Sequence, residues 1–465
     1  MKNKKVFILL PDGVGLKNFA FTKFKSLAQQ QDLDLVYWNN TVFDLEDLGC
    51  KQVRIQNAGL HPLTDVYKNV RKHLEIYSNV NRFNDEVYQS YLFPFNTNSL
   101  KNKIRTVLTK VLIATHKSEE GLQRIVNKTY QLETQTSFFT ACVNQLKEYK
   151  PDFVLCTNQR TSLSIAPIES AKKLGIQTGC FVFSWDNLPK AMLLIDTDYY
   201  FVWSDFMKEE LLKYYPNIKP EQIYVTGTPQ FENHFDKSLL LNKEEFFSRY
   251  NLNTDKKYFL YSGDDITTSP NDPLYLEDTA KAVKELNKKG HNFGILFRRC
   301  PVDFSNRFDH VLSQYNDIVS INPDWKRIGE KWNTVIPTIE DMSLQANCIY
   351  HTEGVLNLGS SMVFDAIAHN KTCAYFNYNN PKSNITKWSV EKIYKYVHFR
   401  SMPDKQAVHW VNSSKDISGI LLQMLQLETP QHKYARKWFG IINQHTNNAS
   451  ERILDSIIKI TSHSK

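Results

Sequence analysis

Gly359, Ser360 and Ser361 form a run of small residues that precedes a predicted helix and follows a predicted strand over residues 348–351. Small residues at the start of a helix let backbone N–H groups approach an anion, and the two hydroxyls add donors that can point at phosphate oxygens. Asp365, about one turn further on, could accept a hydrogen bond from a sugar hydroxyl. The segment indicates a phosphate site; the alternative is a serine N-cap on an ordinary helix.

Arg298 and Arg299 directly follow another predicted strand, over residues 293–297. Guanidinium groups at the carboxyl end of a strand can bind a phosphate through two parallel hydrogen bonds. This pair is therefore a second candidate for phosphate binding. The alternative is that the two arginines form salt bridges with the nearby Asp303 or Asp309.

His351 and Glu353 lie in the sequence His-Thr-Glu-Gly, at the end of the predicted strand over residues 348–351. Polar side chains at a junction between strand and loop favour a contact with a ligand. The alternative for the histidine is a core position with its hydrogen bonds satisfied. On the first interpretation, both residues belong to the same site as the serines and arginines.

Asp12 follows the first predicted strand, over residues 6–10, in the sequence Pro-Asp-Gly-Val-Gly-Leu. Gly13 and Gly15 let a ligand approach the backbone, and the carboxylate could act as a general base that removes a proton from a hydroxyl. Alternatively, Asp12 caps the helix that follows. The glycine spacing does not match the Gly-x-Gly-x-x-Gly pattern of dinucleotide-binding proteins.

Arg160 and Asp186 follow two further predicted strands of this half of the chain, over residues 152–156 and 178–184. The carboxyl ends of parallel strands meet at one edge of a sheet, where such sheets bind their ligands. We therefore expect both residues to line the same mouth as Asp12.

The elements that must position these residues alternate between short apolar runs and amphipathic stretches, which is typical of parallel strands joined by helices. A break at Gly227-Thr228-Pro229 separates two such series. The sequence therefore predicts an α/β chain with two doubly wound, Rossmann-like parallel-sheet domains facing each other across a cleft. The predicted strands are residues 6–10, 33–38, 152–156, 178–184, 199–203, 223–226, 258–262, 293–297, 318–321, 348–351, 372–376 and 407–411.

Two domains also suit the length of 465 residues, because a single hydrophobic core stops growing at about 250–300 residues. The predicted bounds are 1–235 for the first domain and 236–435 for the second. The final segment, 436–465, is predicted to be helical and to return to the first domain. Residues 60–149 break the alternation and are predicted to form a helical insert.

The composition, 42% hydrophobic and 23% charged, is that of a globular chain and excludes disorder as its main theme. A net charge of +8 fits an anionic ligand or an anionic membrane face, and is weak support for nucleic acid. No apolar run reaches 18 residues, and the apolar stretch at the start is too short for a signal peptide. The seven cysteines lack the spacing of a zinc site or a disulfide framework, so we expect reduced core cysteines. These features predict a cytoplasmic protein, at most peripheral at the inner membrane face.

The insert contains a basic stretch over residues 101–117 in which apolar residues recur at helical spacing. One interpretation is a basic amphipathic helix that contacts a lipid head group or a membrane surface. The other is a helix that packs on its own domain with its lysines in water. The apolar residues are Ile104, Val107, Leu108, Val111 and Leu112.

Three segments resemble a known group of enzymes. Residues 183–235, which end in Gly-Thr-Pro before Gln-Phe-Glu-Asn-His-Phe, resemble bacterial surface-polysaccharide glycosyltransferases of the GT-B type. Residues 360–378 resemble the donor half that GT-B enzymes share with the polyol-phosphate transferases of teichoic-acid synthesis. Residues 447–453 resemble the last helix of such transferases. The sequence departs from the family at Phe-Arg-Arg-Cys-Pro, 297–301, where a His-Pro or Arg-Pro-His is usual.

The resemblance implies a GT-B architecture and an enzyme that moves a sugar from a nucleotide-sugar to a hydroxyl of a surface glycan or lipid-linked acceptor. The donor, linked to UDP, GDP, CDP or CMP, would be a substrate, and no cofactor is implied. The second domain would hold its diphosphate through Ser360, Ser361, Arg298 and Arg299, and the first would hold the acceptor. The alternatives are a polyol-phosphate transferase with a CDP-glycerol-like donor, a sugar-nucleotide epimerase, and a non-catalytic nucleotide-sugar-binding protein of the same fold.

Asp196 and Asp198 match the DxD pair that holds Mn²⁺ in another class of sugar transferases. Here the pair precedes a predicted strand, over residues 199–203, and lacks supporting ligands. We therefore predict that the protein has no metal site and acts without a metal.

Overall fold

The computed structural model describes residues 4–327, 335–385 and 388–462. The chain divides into two compact units. Unit 1 takes in the chain up to Pro229 and again from Ile442 onward, and unit 2 comprises Gln230–Ile441. Each unit is built on its own parallel sheet, so the predicted fold class, two parallel-sheet α/β domains, is confirmed.

The sheet of unit 1 has seven parallel strands in the order β3-β2-β1-β4-β5-β6-β7. The apolar residues of its central strands β1 and β4 are fully buried on both faces, as expected for a sheet covered by helices on both sides. The strands are β1 (Lys4–Leu10), β2 (Leu33–Asn39), β3 (Gln52–Arg54), β4 (Phe153–Cys156), β5 (Gln177–Phe181), β6 (Tyr199–Val202) and β7 (Ile223–Val225).

The sheet of unit 2 has six parallel strands in the order β10-β9-β8-β13-β14-β15. A separate antiparallel pair, β11 with β12, follows β10 in the chain. The strands are β8 (Lys257–Ser262), β9 (Phe293–Arg298), β10 (Ile318–Ser320), β11 (Trp325–Arg327), β12 (Val335–Pro337), β13 (Gly354–Asn357), β14 (Thr372–Phe376) and β15 (His409–Val411).

Helices connect the strands, and polar N-caps start many of them; Ser99, Ser118, Thr136, Ser204 and Thr338, for example, each accept a hydrogen bond from a first-turn N–H. The helices are α1 (Leu16–Phe19), α2 (Phe24–Gln30), α3 (Thr64–Phe83), α4 (Leu100–Thr115), α5 (Glu119–Glu133), α6 (Ser137–Tyr149), α7 (Ile165–Lys173), α8 (Asp205–Tyr214), α9 (Glu232–Phe235), α10 (Lys243–Arg249), α11 (Asp272–Lys288), α12 (Asp309–Gln314), α13 (Ile339–Tyr350), α14 (Met362–Ala368), α15 (Glu391–Tyr394), α16 (Ile417–Met424), α17 (Pro430–Ile442) and α18 (Ala449–Ser462).

The prediction of a strand over residues 348–351 is wrong, because these residues form the last turn of helix α13 and its C-cap, His351. Thr338 caps this helix through a bond from the N–H of Asp341, and its apolar residues Ala346 and Ile349 are buried at helical spacing. The true strand is β13, a fully buried four-residue run that the sequence analysis took for a loop. Because β13 has only four residues, its apolar pattern is weak, and the strand was predicted instead in the apolar end of the longer helix before it.

Helices α3 to α6 form the insert between β3 and β4, as predicted. The insert has a small core of its own, in which Val66, Val70 and Leu74 of α3 pack with Ile113 and Ile125. The last helix, α18, packs on α2 of unit 1, where Gln31 donates a hydrogen bond to Asp455 at 2.9 Å. Within the described residues, none of the helices combines the length and apolarity needed to cross a membrane.

Candidate functional site

In each sheet the strand order reverses at one point, and ligands of such sheets bind in the crevice outside the carboxyl ends of the strands there. In unit 2 the reversal lies between β8 and β13, so the loops that begin at Gly263 and Leu358 flank this crevice. In unit 1 it lies between β1 and β4, flanked by the loops that begin at Pro11 and Thr157. These loops contain several of the predicted site residues.

The turn after β13 is held in one conformation by its own hydrogen bonds. The N–H of Ser360 donates to Oδ1 of Asn357 at 3.0 Å, and the hydroxyl of Tyr375 donates to the carbonyl of Ser360 at 2.7 Å. Gly359 has a φ of +69°, and a Cβ there would lie 2.9 Å from Cγ2 of Ile393. Only glycine fits this position without strain, so the serines are presented by a backbone that the sequence fixes locally.

Ser361 is the N-cap residue of α14 and is exposed, and its hydroxyl makes no capping bond within the described part of the chain. Ser360 is partly buried, and its hydroxyl accepts a long bond, 3.4 Å, from the N–H of Met362. The hydroxyl of Ser361 therefore does not cap the helix, as the alternative interpretation expected. This hydroxyl is free to face a ligand.

Asp365 is engaged in a buried network, although we expected it to accept from a sugar hydroxyl. Its Oδ1 accepts from Nε2 of His234 at 2.8 Å and from the amide of Gln345 at 3.3 Å. Nδ1 of His234 lies 3.0 Å from Nε2 of His369. Burial, together with the neighbouring His234, lowers the pKa of His369 to about 3, so this ring is neutral.

Arg298 does not present its charge at the end of β9. Its Nη2 donates to both carboxylate oxygens of Asp341, at 2.7 and 2.8 Å, with both residues buried. Asp341 accepts two further bonds, from the indole of Trp325 at 2.6 Å and from the N–H of Asp324 at 2.8 Å. The salt-bridge alternative is therefore the one that the structure adopts, with Asp341 as the partner in place of the expected Asp303.

Arg299 is also held by neighbours. One Nη donates to the carbonyl of Ser305, the other lies 3.6 Å from Asp309, and the guanidinium sits 5.5 Å from the centre of the Phe308 ring. Asp303 is taken by Arg307, whose Nε donates to it at 2.6 Å. Arg299 and Arg307 thus stabilise the loop after β9, whereas Arg298 connects the end of β9 to α13.

His351 and Glu353 lie at the opposite edge of the sheet, so the prediction that they follow a strand is wrong. The ring of His351 stacks on Phe246 at 4.8 Å, and its Nε2 bonds to the carbonyl of Leu241 at 3.0 Å. Burial lowers the pKa of this histidine, which favours the neutral form. The N–H of Glu353 donates to the carbonyl of Tyr258, at the start of β8. His351 is thus held by contacts within unit 2, in line with the alternative interpretation.

The sequence analysis missed a group of carboxylates in the loop after β8. Burial raises the pKa of Asp264 to about 8, and the charges of Asp272 and Asp265 add to the effect. Oδ2 of Asp272 accepts from the N–H of Asp264 at 2.7 Å, and Arg307 donates to the carbonyl of Asp264 at 2.6 Å. Glycine and aspartate follow a buried strand here, as they do after β1, and that parallel could have revealed the group.

In unit 1 the structure joins Asp12 to Arg160 through Asn158. Oδ2 of Asp12 accepts from the amide of Asn158 at 2.7 Å, and Oδ1 of Asn158 accepts from the N–H of Arg160 at 2.9 Å. Oδ1 of Asp12 also accepts from the N–H of Val14 at 3.1 Å, so this carboxylate does cap the 3₁₀ turn Gly13–Gly15. Burial raises the pKa of Asp12, a shift that suits a general base.

The network continues towards β5. Nη1 of Arg160 donates to Oδ1 of Asn187 at 2.6 Å, and the adjacent Asp186 accepts from the hydroxyl of Ser184 at 2.7 Å and from Lys190. Asp12, Arg160 and Asp186 are therefore brought to one edge of the sheet, as the strand order predicts. Two uncharged side chains connect them: Asn158 lies between Asp12 and Arg160, and Asn187, next to Asp186 in the chain, accepts from Arg160.

The two glycines after β1 differ in their surroundings. A Cβ on Gly15 would lie 2.3 Å from Oγ1 of Thr157, so this glycine lets the loop pack against the end of β4. Gly13, by contrast, is partly exposed at the start of the turn. Only Gly13 has the exposure that an approaching ligand needs.

Lys72, on α3 of the insert, adds positive charge near this edge. Burial lowers its pKa to about 8, and the charges of Arg160, Lys190 and Lys68 contribute. Lys72 and the cations that help to lower its pKa form a positively charged cluster, which favours the binding of an anion. The sequence analysis missed Lys72 because the insert is far from the strand loops along the chain.

Asp196 and Asp198 have other partners. Lys172 donates to Asp196 at 3.2 Å, and Asp198 accepts from the N–H and the hydroxyl of Thr178 at 2.8 and 2.9 Å. Among the described residues, no group of three or more His, Cys, Asp or Glu side chains is arranged to hold a metal ion. All seven cysteines lie in the described ranges and are unpaired.

No protein-family model matches the chain, and no curated protein matches it. Solved structures resemble it over their whole length. A putative UDP-N-acetylglucosamine 2-epimerase from Listeria monocytogenes aligns with a TM-score of 0.56 at 11% identity, over 100% of this chain and 98% of its own. The UDP co-structure of MnaA from S. aureus gives 0.52 at 12% identity, over 99% and 97%. A glycosyltransferase from Rickettsia africae gives 0.50 at 11% identity, over 100% of both chains.

At these identities the likeness concerns the fold. The chain has the two-domain α/β fold of GT-B-type proteins, and the resemblance inferred from the sequence is confirmed at that level.

Proposed function

We propose that the chain binds a nucleotide-sugar through unit 2 and transfers the sugar to a hydroxyl of a surface glycan or lipid-linked acceptor held by unit 1. The observation that carries this proposal is the reversal of strand order between β8 and β13. The loops at this point begin with Gly263 and carry the preformed turn at Gly359. A parallel sheet with glycine-lined loops at this position is a typical nucleotide site.

In this proposal the diphosphate lies against the turn after β13. The donors that we propose there are the hydroxyls of Ser360 and Ser361. Arg298 and Arg299 keep their protein partners and support the neighbouring loop, so they contribute to the shape of the site. Donors fixed in advance stabilise the charge that develops on the leaving diphosphate, without a metal.

Asp264 gives the site a further donor. With a pKa of about 8 its carboxyl is mostly protonated at neutral pH, and a protonated carboxyl donates one hydrogen bond. Such a group can hold a phosphate or sugar oxygen without adding a repelling negative charge. It lies in the loop after β8, on the other side of the strand reversal from the serines.

Asp12 is the proposed base. It takes the proton of the acceptor hydroxyl, whose oxygen forms a bond to the anomeric carbon. The bond from that carbon to the diphosphate oxygen breaks, and its electron pair leaves with the nucleoside diphosphate. The raised pKa of Asp12 brings its basicity nearer to neutral pH, where general-base catalysis is most effective.

A binding screen followed by a turnover assay tests the proposal. Melting temperatures are measured with UDP, GDP, CDP, CMP and their sugar derivatives, because a ligand at 100 times its dissociation constant stabilises a protein by about 2.7 kcal/mol. Release of the nucleotide, a nucleoside diphosphate or CMP according to the donor, is then followed with and without glycan acceptors. Absence of binding to every nucleotide would contradict the proposal.

A second candidate is a sugar-nucleotide epimerase, because the Listeria structure and another structure with this fold are UDP-N-acetylglucosamine 2-epimerases by name. An epimerase needs no acceptor, and the sugar of its product is still attached to the nucleoside diphosphate. Incubation with UDP-N-acetylglucosamine alone, followed by proton NMR of the sugar, separates the two reactions. A new sugar stereoisomer without release of UDP would support epimerisation.

A further inference from the structure

Helix α4 of the insert turns its apolar side outward. Leu100, Ile104, Val107 and Val111 are 75, 61, 62 and 53% exposed, and with Leu108 they form one continuous stripe at helical spacing. The opposite side of the helix, which packs inward, is the more polar one: of its three buried residues, two are threonines. The stripe is therefore not the packing face of the insert, which was one of the two interpretations of this segment.

Positive charge borders the stripe on both sides. At 100° per residue, Lys103 and Lys110 project on one side of it, and Lys101 and Arg105 on the other. The sequence has no Asp or Glu between Glu86 and Glu119. The helix thus presents an apolar stripe between two rows of cations.

An exposed aromatic residue lies just before this helix. Phe93 is 78% exposed, and Nζ of Lys72 sits 4.8 Å from the centre of its ring. A contiguous exposed apolar patch bordered by polar residues marks an interaction surface, whereas apolar side chains exposed singly do not. Phe93 extends the exposed apolar residues of the insert beyond α4.

We propose that α4 docks on an anionic membrane surface, with its apolar stripe at the boundary between head groups and acyl chains and its cations facing the lipid phosphates. Amphipathic helices with this distribution of charge and apolar side chains lie in the plane of the interface. The proposal is independent of the reaction that the two sheets support.

Charge selects the lipid surface over a second copy of this chain. Two copies that met through α4 would bring two sets of cations together without any acidic partner on the helix, and like charges repel. An anionic bilayer supplies the opposite charge along the whole helix. Each cation near such a surface strengthens binding about fivefold.

Co-sedimentation of the full chain with vesicles tests the proposal. Vesicles of phosphatidylcholine with one quarter phosphatidylglycerol are compared with vesicles of phosphatidylcholine alone, at low and high salt. We expect binding to the anionic vesicles that weakens with salt. Absence of binding, or equal binding to both vesicle types, would overturn the proposal.

Two sets of substitutions separate the contribution of the cations to vesicle binding from that of the apolar stripe. Lys101→Gln, Lys103→Gln and Lys110→Gln together should weaken binding by roughly 100-fold. Ile104→Gln, Val107→Gln and Val111→Gln should weaken it at least tenfold. All six side chains are exposed, so the melting temperature should stay within a few degrees of the parent.

Matched controls come from exposed residues elsewhere. Leu427→Gln, at a side chain 91% exposed, and Lys284→Gln should leave vesicle binding unchanged. Light scattering after size exclusion reports the oligomeric state of each variant. If the stripe variants abolish a dimer of the parent chain and leave vesicle binding intact, the stripe binds a second copy and the proposal is wrong.

Discussion

Arg298 and Asp341 form an ion pair with a bifurcated hydrogen bond, in which Nη2 of the guanidinium donates to both carboxylate oxygens at 2.7 and 2.8 Å. Both side chains are almost fully buried, and Nη1 of Arg298 is buried without a partner among the described residues. The pair connects the end of β9 to the first turn of α13. An arginine that the sequence offered as a phosphate ligand is thus a structural residue in unit 2.

Arg298→Ala should destabilise the protein by about 3–5 kcal/mol, because removal of one partner leaves the carboxylate of Asp341 buried and uncompensated. Chemical denaturation measures the loss. The double variant with Asp341→Ala should recover part of it, since no charge then remains. Unchanged stability together with lost UDP binding would instead show that Arg298 binds the phosphate.

Gly359→Ala should lower the stability by roughly 1–3 kcal/mol and weaken UDP binding more than uridine binding, because the strained turn shifts the serines. Gly290→Ala is the matched control: its φ is +94°, and a Cβ there meets nothing within 4 Å. The control should lose stability and keep its affinity for UDP. Equal affinity losses in both variants would place the diphosphate elsewhere.

Ser361→Ala should weaken binding of a nucleoside diphosphate about 3- to 10-fold without lowering the melting temperature, since the exposed hydroxyl makes no capping bond in the described residues. Calorimetric titration with UDP and with uridine on the same samples gives the comparison. A variant that loses stability and keeps full UDP affinity would show that the serine is structural.

Asp12→Asn should leave donor binding intact and lower turnover 10²- to 10⁴-fold, because the amide cannot take a proton. Burial raises the pKa of this carboxyl, so activity of the parent chain should fall on acidification at a pH above that of an ordinary aspartate. A pH–rate profile measures this fall in activity at acidic pH. Unchanged turnover in the variant would exclude Asp12 as the base.

Asp264 should make the protein less stable as the pH rises from about 4 to about 8. Its pKa is about 8 in the folded chain against an ordinary 3.8, so over this window the folded state holds a proton that the unfolded state has lost. The slope should approach about 1.4 kcal/mol per pH unit. Denaturation curves at several pH values should show a flatter dependence for Asp264→Asn.

Asp265→Asn is a second test of this assignment, because the charge of Asp265 helps to raise the pKa of Asp264 and its removal should lower that pKa. Hydrogen bonds from Thr267 and Thr268 lower the pKa of Asp265 despite its partial burial. Its contribution to stability is therefore present above the ordinary pKa and is lost only as the pH falls below it. A parent chain whose stability does not change between pH 4 and pH 8 would contradict the assignment for Asp264.

Much of the fold was predictable because strand and helix patterns are local. The apolar runs of β1, β2, β8 and β14 were placed within a residue or two, since each is buried on both faces and bounded by polar residues. The order of strands then brought Asp12 towards Arg160 without further information. The wrong strand prediction at residues 348–351 also has a local cause. The four buried residues of β13 are too few to give a periodic pattern that distinguishes them from the neighbouring helix.

The partners of the charged groups were decided only by tertiary structure. Nothing near Arg298 in the sequence marks Asp341, 43 positions away, as its partner, and the sequence could not show that Asp365 pairs with His234. Periodicity established that α4 is amphipathic and left open which side it buries. That choice depends on what the remainder of the insert offers for packing, and here it leaves the apolar side exposed.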